Sequence, residues 1–249
     1  MFSLATAMHL ANKDVKLRKN PKHDLEEIAI EPTGGGKRYT LNLKMIGEGT
    51  FTEAYITDDN NVILLTMGEE TKQMLADIYD EYGELSYIPK VEYLGQAFTN
   101  GYEMEAYKSP LYRVPLSWTK NTAKAFHMYA MLDSIIDKEW RKIDEPDEWT
   151  EDTTSVYSQR LRHSVYNALK KSKDMKPTKI GVSDSDLTKE EWNEFALAVM
   201  FLIQKSFEYS FFWIMDVTFN NVGTDANGQL ILLDIFYDKL AQIEGLGRY

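Results

Sequence analysis

Three side chains near the end of the chain are of types that could do chemistry together: Asp216, Asn221 and Asp234. They stand in Ile214-Met215-Asp216-Val217-Thr218-Phe219-Asn220-Asn221-Val222-Gly223 and in Gln229-Leu230-Ile231-Leu232-Leu233-Asp234-Ile235-Phe236. Carboxylate and amide oxygens are hard donors that suit Mg²⁺. A carboxylate held against a reacting hydroxyl can take its proton. To cooperate, the three groups must converge on one cleft. A loop over 216–221, a turn over 224–228 and an apolar strand ending on Asp234 can bring them there. The pattern D-x-x-x-x-N alone is common, and the plain alternative is a polar hairpin with acidic turn residues. The apolar strand with its terminal Asp makes the pattern more specific.

The rest of the chain must supply the elements that position this cluster. Its 249 residues, 43% of them hydrophobic, suit one large or two small domains with a substantial core. A net charge of -11 and a pI near 4.9 argue against general nucleic-acid binding. There are no cysteines, hence no disulfide framework and no thiolate metal site, which fits a reducing cytoplasm. His9, His23, His127 and His163 show no ligand spacing. The most apolar stretch, 195–215, is broken by Gln204, Lys205 and Glu208 and does not read as a membrane span.

In chain order, residues 1–26 read as a short helix followed by a basic arm with Lys13, Lys16, Arg18, Lys19 and Lys22. Residues 26–32 alternate as a strand with Ile28 and Ile30 on one face. The run Thr33-Gly34-Gly35-Gly36-Lys37 lacks the spacing of a phosphate loop and reads as a hairpin turn. A strand over 38–46 leads into Gly47-Glu48-Gly49-Thr50-Phe51-Thr52-Glu53-Ala54-Tyr55. The glycines let a backbone turn approach phosphates closely. A turn at 58–61 and a buried strand at 62–65 follow, then a helix over 69–82. Two further strands, 90–98 and 102–108, are joined through Asn100-Gly101, a hairpin signal. Helices are expected over 117–142 and 155–173, the second with a basic outer face of Arg160, Arg162, Lys170 and Lys171. The acidic run 144–152 lies between them. A third helix starts at the capping box Thr188-Lys189-Glu190-Glu191.

In this order of elements the chain resembles the protein-kinase-like fold. More closely, it is similar to the early serine/threonine protein kinases of podoviruses, the short-tailed phages. The shared features are the G-x-G-x-F-x-x-A-Y loop at 47–55 and the Asp216, Asn221 and Asp234 spacing. The resemblance implies an α+β, two-lobed fold. Residues 1–26 are then a basic arm, 27–108 a strand-rich N-lobe and 109–249 a compact helical C-lobe. Ser109-Pro110 becomes the segment that meets adenine. The resemblance further implies ATP and Mg²⁺ as cofactors. Gly47, Gly49 and Phe51 cover the nucleotide, Asp216 is the catalytic base, and Asn221 and Asp234 hold the metal. It also implies host bacterial proteins as substrates or targets, and a cytoplasmic location.

This sequence departs from that pattern at several points. Leu64 stands where the third strand carries a phosphate-gripping lysine, so Lys44 or Lys72 must take that role if it is filled. Ile214 and Met215 replace the His-Arg that precedes the catalytic Asp. The stretch after Asp234 is too short for a long activation loop. Glu48 and Glu53 bring negative charge close to the expected phosphates. Two other readings therefore stand beside an active kinase. One is a pseudokinase or acidic interaction protein that inhibits a host factor. The other is a small-molecule phosphotransferase, which uses the same Asp, Asn and Asp.

Overall fold

The computed structural model describes residues 25–48, 52–68, 70–99, 101–114, 116, 119–173, 175, 177 and 187–239. The basic arm expected ahead of residue 25 lies outside the described residues, as do Gly49 and Phe51. The chain is of the α+β class, with a strand-rich first part, then helices, then four short strands.

Six antiparallel strands form a closed barrel: β1 (Glu26–Glu31), β2 (Tyr39–Glu48), β3 (Thr52–Ile56), β4 (Asn61–Thr66), β5 (Glu92–Thr99) and β6 (Tyr102–Pro110). Their order around the barrel is β1-β2-β3-β4-β6-β5. Period-two alternation sends Ile28, Ile30, Leu43, Tyr55, Ile63, Leu65, Ala97, Met104 and Ala106 into the interior. The opposite faces of β3, β4 and β6 carry Ala54, Val62, Leu64 and Tyr107 into the main core. Strand β4 is thus buried on both faces, which explains its unbroken apolar run 62–65.

Closure depends on β1 pairing with β5 as well as β2, through Ala29 with Phe98, Ile30 with Ala97 and Glu31 with Gln96. The crossing is tight. Gly95 sits at φ +129° beside a bulge in β5, and a Cβ there would lie 2.1 Å from the Glu31 carbonyl oxygen. Gly95→Ala is expected to cost on the order of 2–4 kcal/mol and to lower Tm by roughly 5–15 °C. Gly101→Ala, also at positive φ but with open space around it, should cost only about 1 kcal/mol. Thermal melts of the two variants test whether the crossing or the backbone angle matters.

Helix α1 (Glu70–Tyr82) links β4 to β5. It lies against the barrel, where the Tyr107 hydroxyl donates to Gln73 Oε1 at 3.0 Å. It also lies against the helical part, where the Tyr209 hydroxyl donates to Asp77 Oδ2 and Tyr82 meets Phe201 edge-on. Helices α2 (Ala123–Trp140), α3 (Glu151–Ser172) and α4 (Lys189–Tyr209) follow. Among the described residues no helix is long and apolar enough to cross a membrane. The Thr188 and Glu191 capping box starts α4 as its sequence predicts, at 3.1 and 2.8 Å.

Several boundaries differ from the sequence expectation. A 3-10 turn, Lys120–Thr122, precedes α2. Helix α3 begins four residues earlier than expected, because Glu151 and Asp152 join its first turn, where the helix dipole favours them. Ser109 and Pro110 are the last residues of β6, paired with Val62 and Asn61, rather than a free connection. Arg162 does not belong to the basic outer face of α3. It is fully buried, donates from Nη1 to Ser206 Oγ at 2.9 Å and lies 4.2 Å over the Phe207 ring. Burial pushes its guanidinium down to about 10.

After α4, strand β7 (Trp213–Met215) pairs with β10 (Phe236–Asp238), and the hairpin β8 (Val222–Thr224) and β9 (Leu230–Leu232) lies between them in sequence. Gly223 lets the segment after β6 come close, since a Cβ there would lie 2.8 Å from Arg113 O and 2.6 Å from Val114 Cγ1. Arg113 and Thr224 exchange backbone hydrogen bonds at 2.8 and 2.9 Å.

Candidate active site

The two short strand pairs bring Asp216, Asn221 and Asp234 together. Asp216 follows β7, and its backbone N–H donates to Ile235 O at 2.9 Å. A turn closed by Asn221 N donating to Thr218 O (2.9 Å) returns the chain to β8. The Asn221 carbonyl then accepts from both Leu233 N and Asp234 N, each at 3.0 Å. Backbone hydrogen bonds alone therefore hold the three residues of the sequence pattern side by side.

Their side chains continue the connection. Asn221 Nδ2 donates to Asp216 O at 2.7 Å and to Asp216 Oδ2 at 3.0 Å. That fixes the amide orientation, since only the nitrogen can serve two acceptors. Asn221 Oδ1 therefore points away from Asp216, and it is buried with no hydrogen-bond partner. A buried amide oxygen without a partner, on a residue whose backbone carbonyl accepts from Asp234 N, is of the donor type that fits a hard divalent cation. Among the described residues no three of His, Cys, Asp and Glu gather to hold a metal by themselves. An ion at Asn221 and Asp234 must accordingly share the oxygens of another group.

The other side of Asp234 is closed by α1. Lys72 Nζ lies 3.6 Å from Asp234 Oδ1, with the Lys72 side chain fully buried and that of Asp234 15% exposed. Of the two lysines the sequence offered, the structure brings Lys72 into the site. Lys44 is exposed on the outer side of β2, beside the buried Leu43. Leu64 is buried between Ala54 and Tyr107 in register on β4. Lys72 lies on the same helix face as Leu75 and Ala76, both buried. A lysine placed on an apolar stripe is the signal that could have singled it out.

Gly47 is buried at the end of β2, opposite Ala54. Glu53 does not carry charge toward the site. It is buried on the side of β3 that Tyr55 shares, with the Tyr55 hydroxyl 3.0 Å from Glu53 Oε2 and 2.9 Å from Glu26 Oε2.

Asp216 is half-buried. Burial pushes its carboxyl above the usual range, and the hydrogen bond from Asn221 opposes that shift. Oδ2 takes the Asn221 bond, which leaves Oδ1 for another donor. Two tyrosines absent from the sequence reading stand in the field of this carboxylate. Tyr129 on α2 is pushed up to about 12 by burial, then by Asp133 and Asp216. Tyr237 on β10 is pushed up to about 12 by burial, then by Asp216 and Glu145. Both lie on apolar stretches, where the sequence gives no reason to separate them from core residues. No protein-family model matches the chain, and no curated protein matches it.

Proposed function

We propose that the protein transfers the γ-phosphoryl group of Mg·ATP to a serine or threonine hydroxyl of a protein. The observation that carries this reading is the unbroken run of contacts from Lys72 to Asp234 to Asn221 to Asp216. In this reading the run supplies a cation, two oxygen-bearing side chains for the metal and a base within one connected cluster. The barrel with α1 corresponds in this reading to the N-lobe of a kinase-like fold, and α2 to α4 with the terminal strands to a compact C-lobe. The barrel is closed, which departs from an open sheet, and Gly47 lies within β2, paired with Ala54 of β3.

Each residue has a defined task. Asp216 Oδ1 accepts the proton of the attacking hydroxyl as its oxygen bonds to phosphorus and the bond to the leaving oxygen breaks. Asn221 holds that carboxylate through Nδ2 and offers Oδ1 to the metal. Asp234 supplies the second metal oxygen. Lys72 takes the phosphate-facing role of the missing strand lysine. Bound Mg²⁺ neutralises phosphate charge and orients the phosphate oxygens. Host bacterial proteins, which the phage-kinase resemblance implies, are the proposed acceptors.

One observation favours a second reading, a nucleotide-binding protein without transfer. Leu64 fills the strand-lysine position, and Lys72 is engaged by Asp234 rather than free. Two measurements separate the readings: Mg·ATP binding, and transfer of labelled phosphate to bacterial extract proteins. Transfer by the wild type is expected. Asp234→Ala is expected to weaken nucleotide binding about tenfold or more and to remove its dependence on Mg²⁺. Unaltered, metal-independent binding in that variant would remove the metal assignment. Binding without any transfer would leave only the second reading.

A further inference from the structure

Helices α1 and α4 meet along an antiparallel seam. Tyr209 reaches Asp77, Lys205 reaches Glu81 at 3.5 Å, and Phe201 meets Tyr82 edge-on at 5.3 Å. Two large side chains on this seam are open to solvent, Tyr82 (46% exposed) and Leu197 (48% exposed). Leu197 lies one turn before Phe201 on α4, and beyond it the Tyr87 ring packs edge-on against Phe195. With the half-buried Phe201 and Leu85 they form an apolar strip on the surface. Its border is acidic. Asp80, Glu81 and Glu84 stand on α1 and just after it, and Glu194 and Glu208 stand on α4, all exposed. Lys205 lies within the strip, engaged by Glu81 and Glu208 at 3.5 and 3.1 Å.

The complement to this strip is in the chain's own first 24 residues. Leu4, Met8, Ala11 and Val15 recur at helical spacing. Lys13, Lys16, Arg18, Lys19 and Lys22 outweigh Asp14 and Asp24, in a protein whose net charge is -11. We propose that residues 1–24 dock on the α1–α4 strip of the same molecule, the apolar positions on Tyr82, Leu197 and Phe201 and the basic run against the acidic border. The proposal does not depend on the phosphoryl-transfer reading. Reach is no obstacle. Leu25, exposed, leads into β1, and 24 residues extend up to ~80 Å, whereas a fold of this size has a radius of gyration of about 18 Å. Charge decides between exposed apolar places. Val156 is bordered by Lys142 and Arg160, which repel a basic arm. The strip is bordered by carboxylates, which attract it. The helix so covered is the one that carries Lys72 to Asp234.

The test is limited trypsin digestion of the full-length protein. Mass spectrometry follows cleavage after Lys13, Lys16 and Arg18, and a free peptide of residues 1–24 is the reference. Cleavage in the protein is expected to be about tenfold slower or more, since a docked segment is cut only when it opens. Leu197→Glu puts a charge into the strip at an exposed position. Glu81→Lys with Glu84→Lys reverses its border. Each variant should bring cleavage to within about threefold of the peptide while circular dichroism stays that of the wild type. Salt at about 0.5 M should also speed cleavage of the wild type, because screening weakens the attraction. Wild-type cleavage at the peptide's rate overturns the proposal. So does protection that persists in both folded variants, since the arm then sits elsewhere. Protection that is lost on dilution from about 50 μM to about 0.1 μM assigns the strip to the arm of a second copy and overturns docking within one molecule.

Discussion

Asp216→Asn should abolish phosphoryl transfer while making the protein harder to melt. The substitution removes the proton acceptor, which is worth a factor on the order of 10²–10⁴. It keeps the shape, and the new amide oxygen can still accept from Asn221 Nδ2. The stability gain follows from burial. In the folded protein the Asp216 carboxyl is held above its ordinary value of 3.8, so the folded state prefers it protonated. As pH rises from that value through the raised one, the wild type loses this contribution, and at neutral pH the whole penalty is present. The asparagine bears none of it. The Tm difference between variant and wild type should therefore be positive at pH 7 and shrink to nothing at acid pH. The same shift makes wild-type transfer fail at a higher pH on acidification than an ordinary aspartate would. Calorimetry from acid to neutral pH, with transfer assays alongside, reads both effects. A variant that melts lower at pH 7 would mean that Asp216 is a structural anchor rather than a base kept at a cost.

Lys72→Met should be the most damaging single change to the site. It removes the proposed phosphate anchor and leaves Asp234 half-enclosed opposite a thioether. Breaking a buried pair from one side costs about 3–5 kcal/mol, so Tm should fall by roughly 10 °C. Transfer should drop by a factor on the order of 10² or more, and nucleotide affinity should drop with it, unlike in Asp216→Asn. A double variant separates the structural from the functional part. Lys72→Met with Asp234→Asn removes both charges and should regain much of the lost stability, yet no transfer. Lys44→Ala, at the exposed position on β2, should leave both quantities close to wild type. Should Lys44→Ala instead abolish transfer while Lys72→Met retains it, the anchor has been assigned to the wrong lysine.

The parts of this site that were legible in the sequence are those held by local hydrogen bonds. Asp216, Asn221 and Asp234 lie within one loop and one hairpin, so spacing alone carries their relation. The choice of Lys72 over Lys44 was not legible in the same way. It depends on how α1 packs between barrel and helices, a matter of contacts such as Tyr107 to Gln73 and Tyr209 to Asp77 that join distant residues. The helices and most barrel strands follow from periodicity and the capping box at Thr188 marks the start of α4, whereas β7, β8 and β10, three residues each, are too short to show a period. Arg162 was misplaced because charge type outweighed position. It lies one turn from Ser158 and Val165, which are buried, and its helix face decides its burial. The barrel's closure left only a faint trace, Gly95 inside an otherwise regular strand, since the pairing partner of β1 is fixed by the whole set of strands.

That closure also sets the order in which the chain can assemble. Ala29 must find Phe98, ~70 positions away, whereas β2 to β4 and the β5–β6 pair are joined by short turns. Loop closure of that length is entropically costly and comes late. Until that pairing forms, β1, already joined to β2 in a short hairpin, and β5 each present an unpaired row of backbone groups, the kind of edge that recruits a strand from another molecule. The first strand therefore acts as an internal chaperone for the barrel, the piece whose docking ends the chain's exposure to self-association.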